Sequence, residues 1–358
     1  MSFITGMMLI EAPASALNNA GAETGQRTDN IVVVKAIKAR DGAYPYVSAQ
    51  AFRYWLRTTV EKKIPDWKAA PIQRESKVAY TDANPLQWWD DDLFGYMRAP
   101  GSSKEASASR EASKLTDLEP KVTLTRCAPF RVGTFIAIAP CSPTVDWGTM
   151  SRQEGDPVPF EHEFYRTHLK GLFSLDLRAC GTFSYADRTG FKNLDSNRRK
   201  EAEELGLEHL EPQKSYRLPI GDRARRVAAL LEGMAALEGG ANQTLHYTDI
   251  APAFLIAAVT KGGNHPFARC VKADAKGLPI VNLEALAEAV SVFADQLQSP
   301  LYVGWTQGYM DDSRTAFAEW VESDAKPAGR DVVQEHPRRV LQRLAVDVQE
   351  PRNAAWFD

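Results

Sequence analysis

The order of the secondary-structure patterns is the feature that most constrains how this chain of 358 residues can fold. Buried-strand and amphipathic-helix patterns follow one another as strand, helix, strand, strand, helix, strand. This order is typical of a ferredoxin-like sheet with its helices on one face. Two long polar stretches interrupt it. We therefore expect an α+β fold in which a ferredoxin-like palm carries two large insertions.

Apolar runs, turn residues and helix caps define the expected elements. Strands are predicted at Phe3–Ile10, Phe130–Ala139, Leu172–Leu177, Phe254–Thr260 and Leu301–Trp305. Helices are predicted at Ser48–Ile64, Arg223–Leu237 and Leu283–Leu297, and either of the last two can be the second core helix. The stretch Ile31–Ala39 is rich in Val and Ile but is interrupted by lysines, which is typical of an edge strand or arm with a basic surface.

The chain is expected to be a single elaborated domain. The palm is expected at about 1–64, 121–180 and 223–310. Residues 65–120 form one insertion, and its Gly-, Ser- and Ala-rich part, Gly101–Lys114, predicts a loop. Residues 181–222 form a second, strongly polar insertion, for which a projecting loop or hairpin is predicted. Residues 311–358 are left as a C-terminal segment.

The helix at Ser48–Ile64 has the clearest pattern. Ser48 is a favourable N-cap, and Pro65 disfavours helical geometry at Ile64. Four apolar residues at helical spacing predict a buried stripe. They are Phe52, Trp55, Leu56 and Val60. Three polar residues share a different face, namely Gln50, Arg53 and Arg57.

The charge is balanced over the whole chain but not around this helix. The chain has 43 Lys and Arg against 46 Asp and Glu, a net charge of -3, which by itself speaks against nucleic-acid binding. The window 35–63 nevertheless holds seven cations and two anions, a net charge of +5. A helix N-terminus beside arginines can receive a phosphate or a carboxylate, and the preceding Tyr44 and Tyr46 can stack on bases. The alternative is an ordinary solvated helix face.

Two further motifs could carry chemistry. Lys261, Gly262 and Gly263 follow a predicted strand and resemble an anion-binding loop, but the Lys-Ser/Thr of a P-loop is absent. Asp90, Asp91 and Asp92 are consecutive and therefore do not share a helical face. We expect a solvated acidic turn there, anchored by the neighbouring aromatic residues.

The sequence gives no sign of a metal, a cofactor or a catalytic motif. The four cysteines form no CxxC pair, and the six histidines lack zinc-binding spacing. We therefore expect no metal, no cofactor and no catalytic residues. No apolar run is long enough to cross a bilayer and no secretory signal is apparent, so a cytoplasmic location is expected.

Several ordered blocks resemble the Cas-seven family, the RAMP backbone subunits of CRISPR Cascade surveillance complexes. The block from Tyr44 to Arg57 is similar to the family signature Val-Ser-small-Gln-x-x-(Arg/Lys), with Ala49 where the family commonly has Gly or Ser. Further similar blocks lie at Ser15–Gly21, Asp92–Met97, Arg126–Val132 and Gly171–Leu177. Together they most resemble the DevR-like branch of type I-B systems. The likeness covers most of the first 177 residues and weakens beyond Gly221.

The resemblance implies an RRM-like palm with inserted fingers, here 65–120, and a thumb, here 181–222. It implies a non-catalytic subunit that binds CRISPR RNA by its backbone, in copies stacked along the guide, and supports pairing of the guide with target DNA in antiviral defence. Other implied partners are a small RAMP cap subunit, a large subunit and a guide-processing subunit. The implied RNA contacts are Lys35, Lys38, Arg40, Ser48, Gln50, Arg53, Arg57, Arg126 and Arg131, with Arg188 and Lys192 as possible thumb contacts.

Two other functions stay open at this point. Related backbone subunits of type III complexes cut target RNA with an Asp in the loop after the first strand, where Asp29 and Asp41 lie in this sequence. Alternatively, the chain is a metabolic or regulatory domain outside CRISPR systems, and its basic helix face binds an anionic small molecule.

Overall fold

The structure is a computed structural model that describes residues 1–21, 31–75, 78–99, 122–323 and 331–358. Its strands are β1 (Ser2–Ser15), β2 (Asn19–Gly21), β3 (Ile31–Val34), β4 (Ala36–Ala39), β5 (Gly42–Val47), β6 (Ile72–Glu75), β7 (Val78–Thr81), β8 (Tyr96–Arg98), β9 (Leu124–Arg126), β10 (Phe130–Val132), β11 (Phe135–Ala137), β12 (Thr144–Met150), β13 (Val158–Asp176), β14 (Thr182–Ser184), β15 (Glu208–Leu210), β16 (Ser215–Arg217), β17 (Phe254–Lys261), β18 (Val271–Ala273), β19 (Pro279–Val281), β20 (Leu301–Trp305) and β21 (Val332–Glu335).

The helices connect and cover these strands. They are α1 (Ala49–Lys63), α2 (Trp89–Phe94), α3 (Ser196–Glu204), α4 (Ile220–Ala235), α5 (Leu283–Val292), α6 (Asp311–Glu322) and α7 (Pro337–Asp347), with short 3-10 helices at Glu211–Gln213 and Pro351–Phe357. None of the helices in the described ranges has the length and apolarity needed to cross a membrane.

A large mixed sheet with β1 near its centre organises the fold. Its path is β21-β20-β17-β1-β13-β11-β5-β4. β1 is antiparallel to β13 on one side and to β17 on the other. Every residue from Ser2 to Ile10 is buried, as expected for a strand with both faces covered. The strand predicted at Phe3–Ile10 is confirmed, and it continues to Ser15.

Helices cover both faces of the sheet, so the prediction of helices on one face is wrong. α1, α4 and α7 pack on the face formed by Ile4 and Met8 of β1. α5 and α6 pack on the opposite face, formed by Met7 and Leu9. The second layer is required because apolar side chains point from the central strands to both sides.

α1 confirms the clearest helix prediction. Ser48 is its N-cap, and the Ser48 hydroxyl accepts a hydrogen bond from the amide of Ala51 at 3.3 Å. The helix ends at Lys63, next to the predicted boundary at Ile64. The four stripe residues are buried, as predicted: Phe52, Trp55, Leu56 and Val60.

Two of the strand predictions need correction. The apolar run predicted as one strand at Phe130–Ala139 is split into β10 and β11, which both pair with β13. The strand predicted at Leu172–Leu177 is the last part of the 19-residue β13. The first half of β13 pairs with β12 in a long hairpin. Its residues lack the clean apolar alternation that marks a strand, because much of the hairpin is exposed.

Residues 182–217 form a small folded unit rather than the predicted loop or hairpin. We call it the 182–217 subdomain. It contains the three-stranded sheet β14-β16-β15 and helix α3. Its buried apolar residues form a core of their own with Leu86 and Leu218. They are Phe183, Leu194, Ala202 and Tyr216.

α1 and α4 approach each other closely at Gly233. A Cβ atom added at Gly233 would lie 2.1 Å from Cγ1 of Val60, so the two helices can keep this distance only with glycine at the contact. The contact fixes α1 against α4 on the same face of the sheet.

We predict that Gly233→Ala lowers the free energy of unfolding by about 1–3 kcal/mol, because overpacking at this contact outweighs the better helix propensity of alanine. Val60→Ala removes the clashing methyl group, so the same substitution should cost less in that background. Chemical denaturation measures both effects. Gly221→Ala in α4 is the control, because its Cβ would meet open space. A neutral Gly233→Ala variant would contradict this packing.

Candidate functional site

A groove lies where one end of the sheet meets the 182–217 subdomain. β1 begins at this end, and β13 and β17 end there. The groove has a volume of about 450 Å³. Its lining includes four arginines and one carboxylate, namely Arg126, Arg131, Arg178, Arg188 and Asp176. We call it the arginine groove.

Three of its arginines can receive an anion. Arg131 is exposed on β10, and Arg178 is half-buried after the end of β13. Within the described residues, neither guanidinium has a hydrogen-bond or ion-pair partner. The guanidinium of Arg188 lies over the ring of Phe191 at 4.5 Å from the ring centroid. Phe191 is 46% exposed, so the groove offers an aromatic face beside its cations.

Arg126 also lines the groove, but its donors are used inside the protein. Its five N–H groups have five acceptors, which leaves none for a bound phosphate. These are the carbonyl oxygens of Asp92 (2.8 Å), Thr182 (2.9 Å) and Ala179 (2.8 Å), the side-chain oxygen of Asn193 (3.2 Å) and the Asp92 carboxylate. Arg126 therefore joins β9 and α2 to the turn after β13 and to the 182–217 subdomain.

Arg53 and Arg57 have internal partners as well, whereas Gln50 on the same helix is exposed. Arg53 donates to the carbonyl oxygen of Phe130 at 2.9 Å and to that of Phe94. Arg57 lies 4.6 Å over the ring of Phe94. Burial, with the nearby Arg57, lowers the pKa of Arg53 to about 10, and burial also lowers the pKa of Arg57. A phosphate would have to compete with these partners.

Lys35, Lys38 and Arg40 form a basic arm, which lies at another strand of the same sheet. Lys38 and Arg40 are exposed at β4 and in the turn after it, and Lys35 is half-buried just before β4. β4 is an edge strand of the sheet. Ser48 lies after β5, and its backbone amide donates to the side-chain oxygen of Asn18 at 2.9 Å. The structure therefore separates the arm from the arginine groove by β5 and β11.

The structure describes only one of the two candidate catalytic aspartates. Asp29 lies outside the described residues. Asp41 is exposed in the turn between β4 and β5, and it accepts a hydrogen bond from the hydroxyl of Tyr44. This hydrogen bond raises the pKa of Tyr44. Across the described ranges, no group of three or more His, Cys, Asp or Glu side chains is placed to hold a metal ion.

The remaining predicted residues lie near the groove. The amide of Gly262 donates to the carbonyl oxygen of Met1 at 2.9 Å, so Lys261, Gly262 and Gly263 are at the groove end of the sheet. Lys261 is exposed. Lys192, in the 182–217 subdomain, forms an ion pair with Asp187 at 3.3 Å.

The expected solvated acidic turn is wrong, because Asp90, Asp91 and Asp92 are all buried in α2. Asp92 forms ion pairs with Arg126 and, at 2.7 Å, with Arg226. Burial raises the pKa of Asp91 to about 7 and also raises the pKa of Asp90. Sequence reasoning missed this cluster. The available signal was the set of large apolar residues on both sides of the three acids.

Comparison with known proteins gives a likeness of fold. No family model and no curated protein sequence matches the chain. The chain is similar to a solved chain of a "CRISPR RNA-guided surveillance complex", with 11% identity and a TM-score of 0.50, over 96% of this chain and 99% of that one. A chain of a "CRISPR RNA-guided surveillance complex, pre-nicking" is 12% identical, with a TM-score of 0.49, over 97% and 100%. The first of these likenesses shows that the mixed α/β fold of this chain is also found in a chain of a CRISPR RNA-guided surveillance complex.

We predict that Asp91 makes the stability of the protein depend on pH. Its pKa is about 7 in the folded chain, against about 3.9 for an exposed Asp. Between these values the folded chain keeps a proton that the unfolded chain loses, so this group makes the free energy of unfolding fall as the pH rises. Asp91→Asn removes the ionisation, and its stability relative to the native chain should increase from pH 5 to pH 8 in chemical denaturation.

Asp66→Asn is the control for this experiment. A hydrogen bond from Arg225 lowers the pKa of Asp66, so its titration lies below the tested range. The effect of Asp66→Asn should be the same at both pH values. If Asp91→Asn changes the free energy of unfolding by the same amount at pH 5 and pH 8, the raised pKa of Asp91 would be contradicted.

Proposed function

We propose that this chain is a CRISPR RNA-binding backbone subunit of a Cascade-type surveillance complex. The arginine groove is the observation that carries the proposal. It combines Arg131 and Arg178, whose guanidinium groups have no hydrogen-bond or ion-pair partner among the described residues, with Arg188, which lies over the exposed ring of Phe191. Guanidinium groups bind phosphate oxygens in a bidentate manner, and aromatic rings stack on bases of any identity. Such a groove suits an RNA that is held by its backbone.

A guide RNA has to be held without its sequence being read. Phosphate contacts leave the bases free for Watson–Crick pairing with the target strand. The groove fits this requirement because three of its arginines, Arg131, Arg178 and Arg188, lie on three different segments of the chain. Lys38, Arg40 and the exposed side of α1 would extend the contact with the RNA backbone along the sheet.

The topology supports an RRM-like palm. β17, β1, β13 and β11 are neighbours, and α1 and α4 connect them on one face. This is the strand order of a ferredoxin-like fold, with β11 and β10 together in the place of the second strand. In this proposal residues 65–120 act as fingers and residues 181–222 act as the thumb.

The assembly belongs to the same proposal. Copies of the chain stack along the guide in the cytoplasm, and target DNA joins through the guide. The other partners are a small RAMP cap subunit, a large subunit and a guide-processing subunit. A net charge of -3 suits close stacking, because strongly basic copies would repel one another. The subunit itself is not catalytic in this account.

The test of the proposal is purification of the chain with its nucleic acid. Size-exclusion chromatography with and without RNase should show an assembly that absorbs strongly at 260 nm and dissociates when RNA is digested. A chain that purifies without RNA at the same size would contradict it. Incubation of the assembly with complementary RNA tests the alternative nuclease. Cleavage that is lost in Asp29→Ala or Asp41→Ala would replace the non-catalytic account.

We predict that Arg131→Gln, Arg178→Gln and Arg188→Gln each weaken binding of single-stranded RNA. Log affinity falls as log salt rises, and each substitution should make this slope less steep by about 0.7, the value for one phosphate contact on a single strand. Fluorescence anisotropy at several salt concentrations measures the slope. Lys272→Gln, an exposed residue outside the groove, is the matched control. Unchanged slopes in all three groove variants would contradict the groove as the RNA site.

We predict that the arm makes a separate contribution. Lys38→Gln combined with Arg40→Gln should reduce the same slope by about 1.4 without altering thermal stability, because both side chains are exposed. The effect should add to that of the groove variants, since strands separate the two surfaces. If the double variant binds RNA like the native chain at every salt concentration, the arm is not a contact.

A further inference from the structure

One turn carries Arg178 into the arginine groove. The turn spans Leu177 to Gly181, between the end of β13 and the start of the 182–217 subdomain. The Arg178 side chain has no hydrogen-bond or ion-pair partner among the described residues. Its direction is therefore set by the backbone of the turn.

Buried arginines hold that backbone. Arg223 donates to the carbonyl oxygens of Leu177 (3.2 Å), Arg178 (3.2 Å) and Cys180 (2.8 Å). Arg126 donates to the remaining carbonyl oxygen, that of Ala179, at 2.8 Å. Both arginines are buried. Each carbonyl from 177 to 180 thus accepts a hydrogen bond from a guanidinium that belongs to another element.

The carboxylate of Asp92 completes this arrangement. It is fully buried and accepts hydrogen bonds from Arg126 and from Arg226, the latter at 2.7 Å. It also accepts from the amide of Gly181, at 3.0 and 3.2 Å to its two oxygens. Gly181 has φ +65°, a conformation that favours glycine. Asp92 therefore binds the end of the turn directly and orients the arginine that binds Ala179.

We propose that Asp92 is a positioning residue for RNA binding and that it acts through Arg178. The inference rests on the proposed function. Asp92 fixes the turn before RNA arrives, so less conformational freedom is lost when Arg178 contacts a phosphate. An asparagine at this position has one acceptor oxygen and no charge. It cannot accept hydrogen bonds from Arg126, Arg226 and Gly181 at the same time. It also leaves two buried guanidinium groups without their counterion.

The chain offers a matched control on the same helix. Asp90 is also buried, but its carboxylate accepts from the amide of Ala70 at 2.7 Å, and within the described part of the chain it forms no hydrogen bond or ion pair with the turn. Asp90→Asn therefore makes the same chemical change in the same helix without altering the support of Arg178. Its effect on RNA affinity should not depend on the residue at position 178.

A double-mutant cycle on the affinity for single-stranded RNA tests the inference. Asp92→Asn should weaken binding about tenfold in the native background and less than about twofold in the Arg178→Gln background, as expected for coupled residues. In a Lys38→Gln background, Asp92→Asn should still weaken RNA binding about tenfold. A general loss of structure would weaken binding in both backgrounds. Circular dichroism and thermal melting confirm that each variant is folded before its affinity is measured.

The inference would be overturned if Asp92→Asn weakens RNA binding equally in the native and the Arg178→Gln backgrounds. It would also be overturned if Arg178→Gln alone binds normally while Arg131→Gln and Arg188→Gln bind weakly, and the proposed function would then stand. If none of these three arginines affects RNA binding, the proposed function fails as well. Should Asp92→Asn not fold, Arg223→Lys replaces it in the same cycle, because it keeps the charge but loses donors to the turn.

Discussion

The ion pairs of Asp92 are the interaction on which the arrangement of the groove depends. Asp92 lies on α2, within the first insertion, and its two arginines come from β9 and α4. The same carboxylate binds the amide at the start of the 182–217 subdomain. One buried carboxylate thus connects four parts of the chain. Burying charged groups is costly unless they are paired and hydrogen-bonded, so these parts hold the charges only when all of them are in place.

The groove follows from this connection. β1 begins at the side of the sheet where β13 and β17 end, and the subdomain follows β13 after one turn. Without a fixed turn between them, Arg178 and Arg188 would have no defined distance from Arg131 on β10. A second buried ionic cluster supports the same geometry. Arg198 of α3 and Arg98 of β8 both donate to the carbonyl oxygen of Asp82, at 2.6 and 2.8 Å. Arg126, Arg226, Arg98 and Arg198 thus hold the frame, whereas Arg131, Arg178 and Arg188 face the groove.

Elements whose signals lie close together in the chain can be predicted from the sequence. α1 could be predicted with its boundaries because its cap, its apolar stripe and the proline after it are all nearby in the chain. The acids of α2 were misjudged because burial of Asp92 depends on Arg126 and Arg226, which are 34 and 134 residues away. Arg53 illustrates the same limit in the opposite direction. Helical spacing places it on a polar face, but only the tertiary fold brings carbonyl oxygens to it.

The groove itself could be predicted only in part. Arg131 lies in a block that resembles a known family, and the order of the chain places Arg188 in the expected thumb. Arg178 was missed, because a single arginine after an apolar strand carries no signal of its own. The apolar residues of the 182–217 subdomain are far apart in the sequence and alternate with charges, so its small core was not visible either.

Ultraviolet crosslinking of RNA to the chain purified from cells, followed by mass spectrometry of the peptides, tests the central claim most directly. RNA adducts are expected on the segments that line the arginine groove, which are those containing Cys127 to Arg131, Arg178, and Arg188 to Phe191. Adducts confined to other surfaces, such as the groove between α1 and residues 237–250, would contradict it. So would the absence of RNA from the purified chain.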